Sequence, residues 1–146
     1  MIQHNLRQVR EALQKASANV DEGARNARDE MMVTLIQLSK EQITGRRGKG
    51  EKAVAGQPPM NCTGNLRRSI RGEKFARKKG FGTEYSAIVG PTIVYGRAVE
   101  LGGSFAPESW QGTSAMKGFP YMKPAYAKFR LVAAGIVRKH LTIGGK

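Results

Sequence analysis

The chain has one cysteine, two histidines and eleven acidic residues among its 146, and these shortages set the first limits. Cys62 stands alone, so an internal disulfide is impossible and a Cys-rich zinc cluster is excluded. It reads as a small residue near a buried turn. His4 and His140 lie towards opposite ends of the chain without a carboxylate pair beside them. His140 falls near a helix C-terminus, where a cation is favoured. The acids form no cluster at helical spacing that suggests a metal site. There is no Gly-x-Ser-x-Gly elbow. The run Gly45-Arg46-Arg47-Gly48-Lys49-Gly50 lacks the Gly-Lys-Ser/Thr ending of a phosphate-binding loop and follows a helix, not a strand. No catalytic residue, metal or cofactor is therefore expected, and the chain does not read as an enzyme. No apolar run approaches the ~18 residues of a membrane span. The first residues, Met1 to Arg7, lack the apolar core of a signal peptide, so a cytoplasm-like compartment and no membrane partner are expected.

What the chain has in excess is positive charge: 25 Lys and Arg against 11 Asp and Glu, a net charge of +14. Most of that excess falls between Gly45 and Gly80, where Arg46, Arg47, Lys49, Lys52, Arg67, Arg68, Arg71, Lys74, Arg77, Lys78 and Lys79 face only Glu51 and Glu73. A polyanion or an acidic protein is the expected partner, and these eleven residues are the candidate docking set. Arg77, Lys78 and Lys79 have a plainer reading as a solvated hairpin end that discourages edge-to-edge pairing. No helix-turn-helix or zinc module is evident, so any DNA contact would be to phosphates and not sequence-specific.

The length suits a single domain, residues 1–146. Ile2, Leu6, Val9, Leu13, Ala16 and Val20 recur at spacings of four and three, a narrow helical stripe suited to core or subunit packing. Ala24, Ala27, Met31, Leu35 and Leu38 continue it past Gly23, as a second helix or as one long bent helix; residues 1–22 form an N-terminal extension. Residues 45–62 are a long loop marked by Gly and Pro. Thr63 is placed to cap a short helix running to Ile70, with Leu66 and Ile70 on one face. Residues 71–79 and 83–90 read as a hairpin around Gly80-Phe81-Gly82, with Tyr85, Ala87 and Val89 opposite Glu84, Ser86 and Ile88. Gly90-Pro91 ends it. A short helix carries Val94, Tyr95, Ala98 and Val99 and stops at Gly102-Gly103. A second loop spans 102–120. The last helix starts at Pro124 with Ala125, Phe129, Val132, Ala133, Ile136, Val137 and His140 on its apolar face, and residues 141–146 form a flexible tail. The expected fold is α+β: a small antiparallel sheet packed by long N- and C-terminal helices.

Three segments, in this order, resemble the tail-component family of long-tailed double-stranded DNA phages. They are Thr63-Gly64-Asn65-Leu66-Arg67-Arg68-Ser69-Ile70; Tyr85 to Gly90 continuing to Tyr95-Gly96-Arg97-Ala98-Val99-Glu100-Leu101-Gly102; and Gly118-Phe119-Pro120-Tyr121-Met122-Lys123-Pro124-Ala125. The resemblance covers roughly residues 24–140. It implies a structural virion protein forming a ring, commonly a hexamer, in the neck or head–tail connector around the DNA passage. The alternative position is a tail terminator capping the tail tube. The implied partners are further copies of the chain, connector and tail-tube neighbours, and double-stranded DNA held without sequence preference; assembly would occur in the host cytoplasm. The implied structural residues are Thr63, Gly64, Leu66, Ile70, Tyr95, Glu100, Gly102, Pro120 and Pro124. The N-terminal helix is longer than the family leads one to expect. A reading from another class, a stand-alone non-specific nucleic-acid-binding protein, rests on the basic stretch alone.

Overall fold

A computed structural model describes residues 2–43, 54, 56, 59, 64–102 and 118–141. The whole first part of the chain is one helix, α1 (Ile2–Gln42, 41 residues), so neither a break nor a second helix occurs at Gly23. At 1.5 Å per residue it is ~60 Å long. Its two halves live in different surroundings. Residues 6–20 are exposed throughout, whereas Ala27, Arg28 and Ser39 are buried, as is Ile43 just after the helix. The buried Ser39 hydroxyl is satisfied by donating to the Leu35 carbonyl at 2.7 Å.

The short helix α2 (Asn65–Ser69) begins after Gly64, whose φ of 75° places it in the left-handed region that glycine adopts readily. Thr63, the expected cap, lies outside the described residues. Ile70 does not end this helix. It opens strand β1 (Ile70–Lys79), which pairs antiparallel with β2 (Gly82–Pro91) in a register running from Ile70↔Pro91 to Lys79↔Gly82. Pro91 therefore closes the strand from within: at the last position of an edge strand its missing N–H costs no ladder bond. The two-residue turn Gly80-Phe81 uses a glycine at φ 58°.

Strand alternation sorts the hairpin into two faces. Thr83, Tyr85, Ala87 and Val89 are partly buried and turn towards α1, while Glu84, Ser86 and Ile88 are exposed, as the sequence pattern predicts. A Cβ built on Gly72 would run into the Met32 side chain, which shows how closely this face lies on α1. The outer face has no covering layer among the described residues, and it leaves Phe75 and Ile88 43% and 67% exposed.

Helix α3 (Tyr95–Leu101) ends at Gly102, with φ 65° and its N–H donated to the Ala98 carbonyl at 2.8 Å. The last helix, α4 (Met122–Leu141), starts two residues before Pro124. Pro124 still sits in the first turn, where no intrahelical acceptor would be missed. On its expected apolar face Ala125 and Ile136 are buried, and Phe129, Ala133, Val137 and His140 partly so. Val132 departs from that face and is 45% exposed. Helix α4 runs antiparallel to α1: Tyr121 clusters with Ile43 at one end, and Gly23 abuts the His140 carbonyl at the other. The core is Ile43, Ile70 and Tyr121, with Ile36, Leu66, Val89, Val99 and Met122 packed around it. The fold is α+β, a two-stranded antiparallel sheet packed by long N- and C-terminal helices.

Candidate functional site

The three motif segments, widely separated in sequence, meet at the base of the hairpin. From the first, Ile70 enters the core and Leu66 packs beside it. The Ser69 carbonyl accepts from the Thr92 N–H at 3.0 Å and from its hydroxyl at 3.2 Å, which ties α2 to the end of β2. From the third, Tyr121 is completely buried, and its hydroxyl donates to the Gly96 carbonyl of the second segment at 3.1 Å. Burial, and then the nearby Glu100 carboxylate, push the Tyr121 hydroxyl well above the usual phenol range, so it stays a donor.

Glu100 forms the tightest link. Its carboxylate accepts three backbone N–H bonds from the start of α4: Tyr121 at 2.7 Å, Met122 at 2.9 Å and Lys123 at 3.0 Å. A helix leaves its first four N–H groups without intrahelical partners. Here Glu100 takes three, and Pro124, the fourth position, has none to offer. A single side chain 21 to 23 residues upstream thus completes the helix N-terminus and places a negative charge at the positive end of its dipole. The Phe119 N–H, donating to the Val99 carbonyl at 2.7 Å, holds the approaching chain alongside α3. Tyr95 opens α3, Gly102 closes it, and Pro120 directly precedes buried Tyr121.

The candidate docking cations do not form one patch. Arg46, Arg47, Lys49 and Lys52 lie outside the described residues. The pleat divides those on β1. Arg71, Arg77 and Lys79 point to the outer face, where Glu73 and Glu84 share the surface; Arg77 is registered directly opposite Glu84, and Lys79 is 3.7 Å from the Glu84 carboxylate. Three cations against two carboxylates is a mildly basic face. Lys74 and Lys78 turn to the α1 side. Lys74 is engaged there, donating to Asp29 at 2.7 Å, and so is not a free docking arm. Arg67 is exposed on α2, and Arg68 is exposed but donates to Asn65 at 2.8 Å.

A polar belt that sequence reasoning did not single out fastens α1 to the rest. Asp21 accepts from the Tyr85 hydroxyl at 2.7 Å and from Arg25 at 3.3 Å. The guanidinium of Arg28, a residue only 9% exposed, donates to Asp29 at 2.8 Å and to the Phe75 carbonyl at 3.1 Å, and lies 5.3 Å from the Tyr85 ring centroid. Glu30 accepts from Lys139 at 2.8 Å and from the Nε2–H of His140 at 2.6 Å. Lys74, and then Arg28, hold the Asp29 carboxyl below the usual carboxylate range; Lys139, and then His140, do the same to Glu30. The signal for this belt was the acid pairs Asp21-Glu22 and Asp29-Glu30 within a basic chain, but their partners lie up to 110 residues away.

Among the described residues no group of three or more His, Cys, Asp or Glu could hold a metal ion, and no helix is long and apolar enough to cross a membrane. No buried side-chain nitrogen or oxygen among them lacks a partner, so the polar groups at the motif junction are occupied in holding the fold. Comparisons with protein-family models, with curated proteins and with solved structures give no match to this chain.

Proposed function

We propose that this chain is a structural subunit of a tailed phage, forming a ring, most simply a hexamer, in the neck or head–tail connector around the DNA passage. The observation that carries this reading is the convergence of the three family-like segments on one junction. Ile70, the Gly96 carbonyl, Glu100 and Tyr121 each come from a motif segment, and each makes a contact that another motif segment completes. The motifs thus act as a rigid frame from which helix and hairpin project, which suits a building block more than a reaction centre. The division of the hairpin cations between two faces favours this over a stand-alone nucleic-acid binder, which would present its charge as one continuous surface. DNA is then a companion in the channel, met through phosphates.

The test is assembly. Native mass spectrometry of the purified chain, alone and mixed with connector and tail-tube proteins, should show a ring or its stable incorporation. A chain that stayed monomeric in every mixture would sink the proposal. Tight, steeply salt-dependent binding of DNA by the monomer would favour the nucleic-acid reading instead. Imaging of assembled particles would separate a neck ring from a tail terminator by position.

A further inference from the structure

We infer that the exposed N-terminal half of α1, with the hairpin tip beside it, is a docking surface for the same helix of a second copy of this chain, laid antiparallel. This inference does not rest on the proposed place in a virion. Between residues 6–24 of α1 and residues 78–83 of the hairpin lies an open groove of about 1380 Å³, with Leu6, Val9, Leu13, Val20 and Phe81 along it. Leu6 and Leu13 are 64% and 65% exposed, and Phe81 at the tip is wholly so. A helical extension with no packed face is marginal in water, and an apolar stripe rimmed by polar residues marks an interaction site.

The stripe itself indicates the occupant. Leu6, Val9, Leu13, Ala16 and Val20 advance by three, four, three and four, a strict 3.5-residue seam of the coiled-coil kind and narrower than the face a globular core requires. The same seam continues through Gly23 to Ala27, where the chain's own elements cover it. Such a seam is matched by another helix carrying the same repeat.

Charge then selects a second copy. Residues 2–22 hold Arg7, Arg10 and Lys15 against Glu11, Asp21 and Glu22, so this segment is neutral within a chain of net charge +14. Beside the seam, Ala12, Ser17 and Asn19 are uncharged and Arg10 is the exception. The hairpin tip adds Lys78, which lines the groove, while Lys79 is paired with Glu84. Two copies therefore meet here with less repulsion than elsewhere on the chain, whereas an acidic partner gains little from a surface so close to neutral. The remaining positive charge also sets the direction. Parallel pairing would bring two strongly basic bodies side by side, and antiparallel pairing keeps them at opposite ends. Crossing between Leu13 and Ala16 places Val9 opposite Val20 and Leu13 opposite Ala16 of the second copy, an isologous contact in which each hairpin tip flanks the other copy's helix.

Sedimentation of the full chain at micromolar concentration tests this. Leu13→Asp puts a charge in the seam and should weaken the association step by tenfold or more, while Ile88→Asp, on the outer sheet face, should leave it unchanged; far-UV circular dichroism checks that both fold. In a Cys62→Ser background, Val9→Cys with Val20→Cys should form an oxidised dimer that neither single cysteine forms. A wild-type chain that stays monomeric, a Leu13→Asp chain that associates as the wild type does, or a seam that binds only another protein's helix would each overturn the inference. Cross-linking by Val9→Cys alone would overturn the antiparallel direction.

Discussion

Replacing Glu100 tests the motif junction most directly. Glu100→Ala removes the acceptor of three N–H groups at the start of α4. Lys123 is exposed, so water replaces the carboxylate at its N–H with little loss. The Tyr121 and Met122 bonds are partly buried, and each donor left there costs about 1 kcal/mol, the low end for an unsatisfied group. Losing the charge at the helix N-terminus adds about 0.3–1 kcal/mol. The sum, about 2–3 kcal/mol, exceeds the ~1 kcal/mol typical of a single cap. Glu100→Gln retains one oxygen for Tyr121 and Met122 but loses the charge and turns an amide towards the Lys123 N–H, so it should cost only about 1 kcal/mol. Urea unfolding followed at 222 nm reads both, the alanine variant shifting the midpoint by ~1–2 M with the slope unchanged. In thermal unfolding the alanine variant should melt ~5–10 °C lower. An alanine variant within ~0.5 kcal/mol of wild type, the usual range for an inert surface change, would refute the capping argument. So would a glutamine variant as damaged as the alanine one, since the two differ in the oxygen that remains.

Three further outcomes follow from the same geometry. Tyr121→Phe keeps the packed ring but leaves the buried Gly96 carbonyl without its donor, and should lower stability by about 1–2 kcal/mol in the same urea titration. Gly23→Ala would stabilise an isolated helix by about 1 kcal/mol; here the added methyl runs into the backbone carbonyl of His140, so the melting temperature should fall, and a rise would show that α4 is not seated as described. The lowered carboxyl pKa values of Asp29 and Glu30 give a pH dependence of definite sign. Their stabilisation is complete above the unfolded values near ~4 and disappears as pH falls through the lower folded values. Urea midpoints should therefore drop below about pH 4.5, and Asp29→Asn with Glu30→Gln should flatten that limb; an unchanged acid limb would show that the belt carries no weight.

The hairpin and the two long helices were legible because each rests on a local period. Tyr85, Ala87 and Val89 alternate cleanly since one face is covered by α1 and the other is uncovered among the described residues. Gly102 was readable as a stop because a helix end that turns to positive φ selects glycine. The boundaries that moved did so for tertiary reasons. Helix α4 starts at Met122 rather than Pro124 because Glu100 satisfies the two N–H groups that Met122 and Lys123 expose, and no local pattern contains that information. Ile70 belongs to β1 because its partner is Pro91, although its spacing from Leu66 fits a helix equally well. Glu100 could be picked out as a family-like residue, but not as a cap for a helix that begins 22 residues on. The basic stretch looked like one feature in a linear reading, yet the pleat sends alternate cations to opposite faces and Asp29 takes Lys74.

The clasp of α1 by α4 also imposes a schedule on synthesis. Glu30 receives its partner at His140 only 110 residues later. At roughly 5–20 residues per second that is a wait of about 5–20 s on the ribosome. During it, the stripe at residues 24–38, later covered by α4 and the hairpin, is as bare as the seam at residues 6–20. Neighbouring nascent chains on one messenger would therefore display the same sticky helix before either could fold back on itself. High local concentration then favours association before folding is finished, and folding factors that shield apolar helices would raise the yield of correctly closed subunits more than that of any later assembly step.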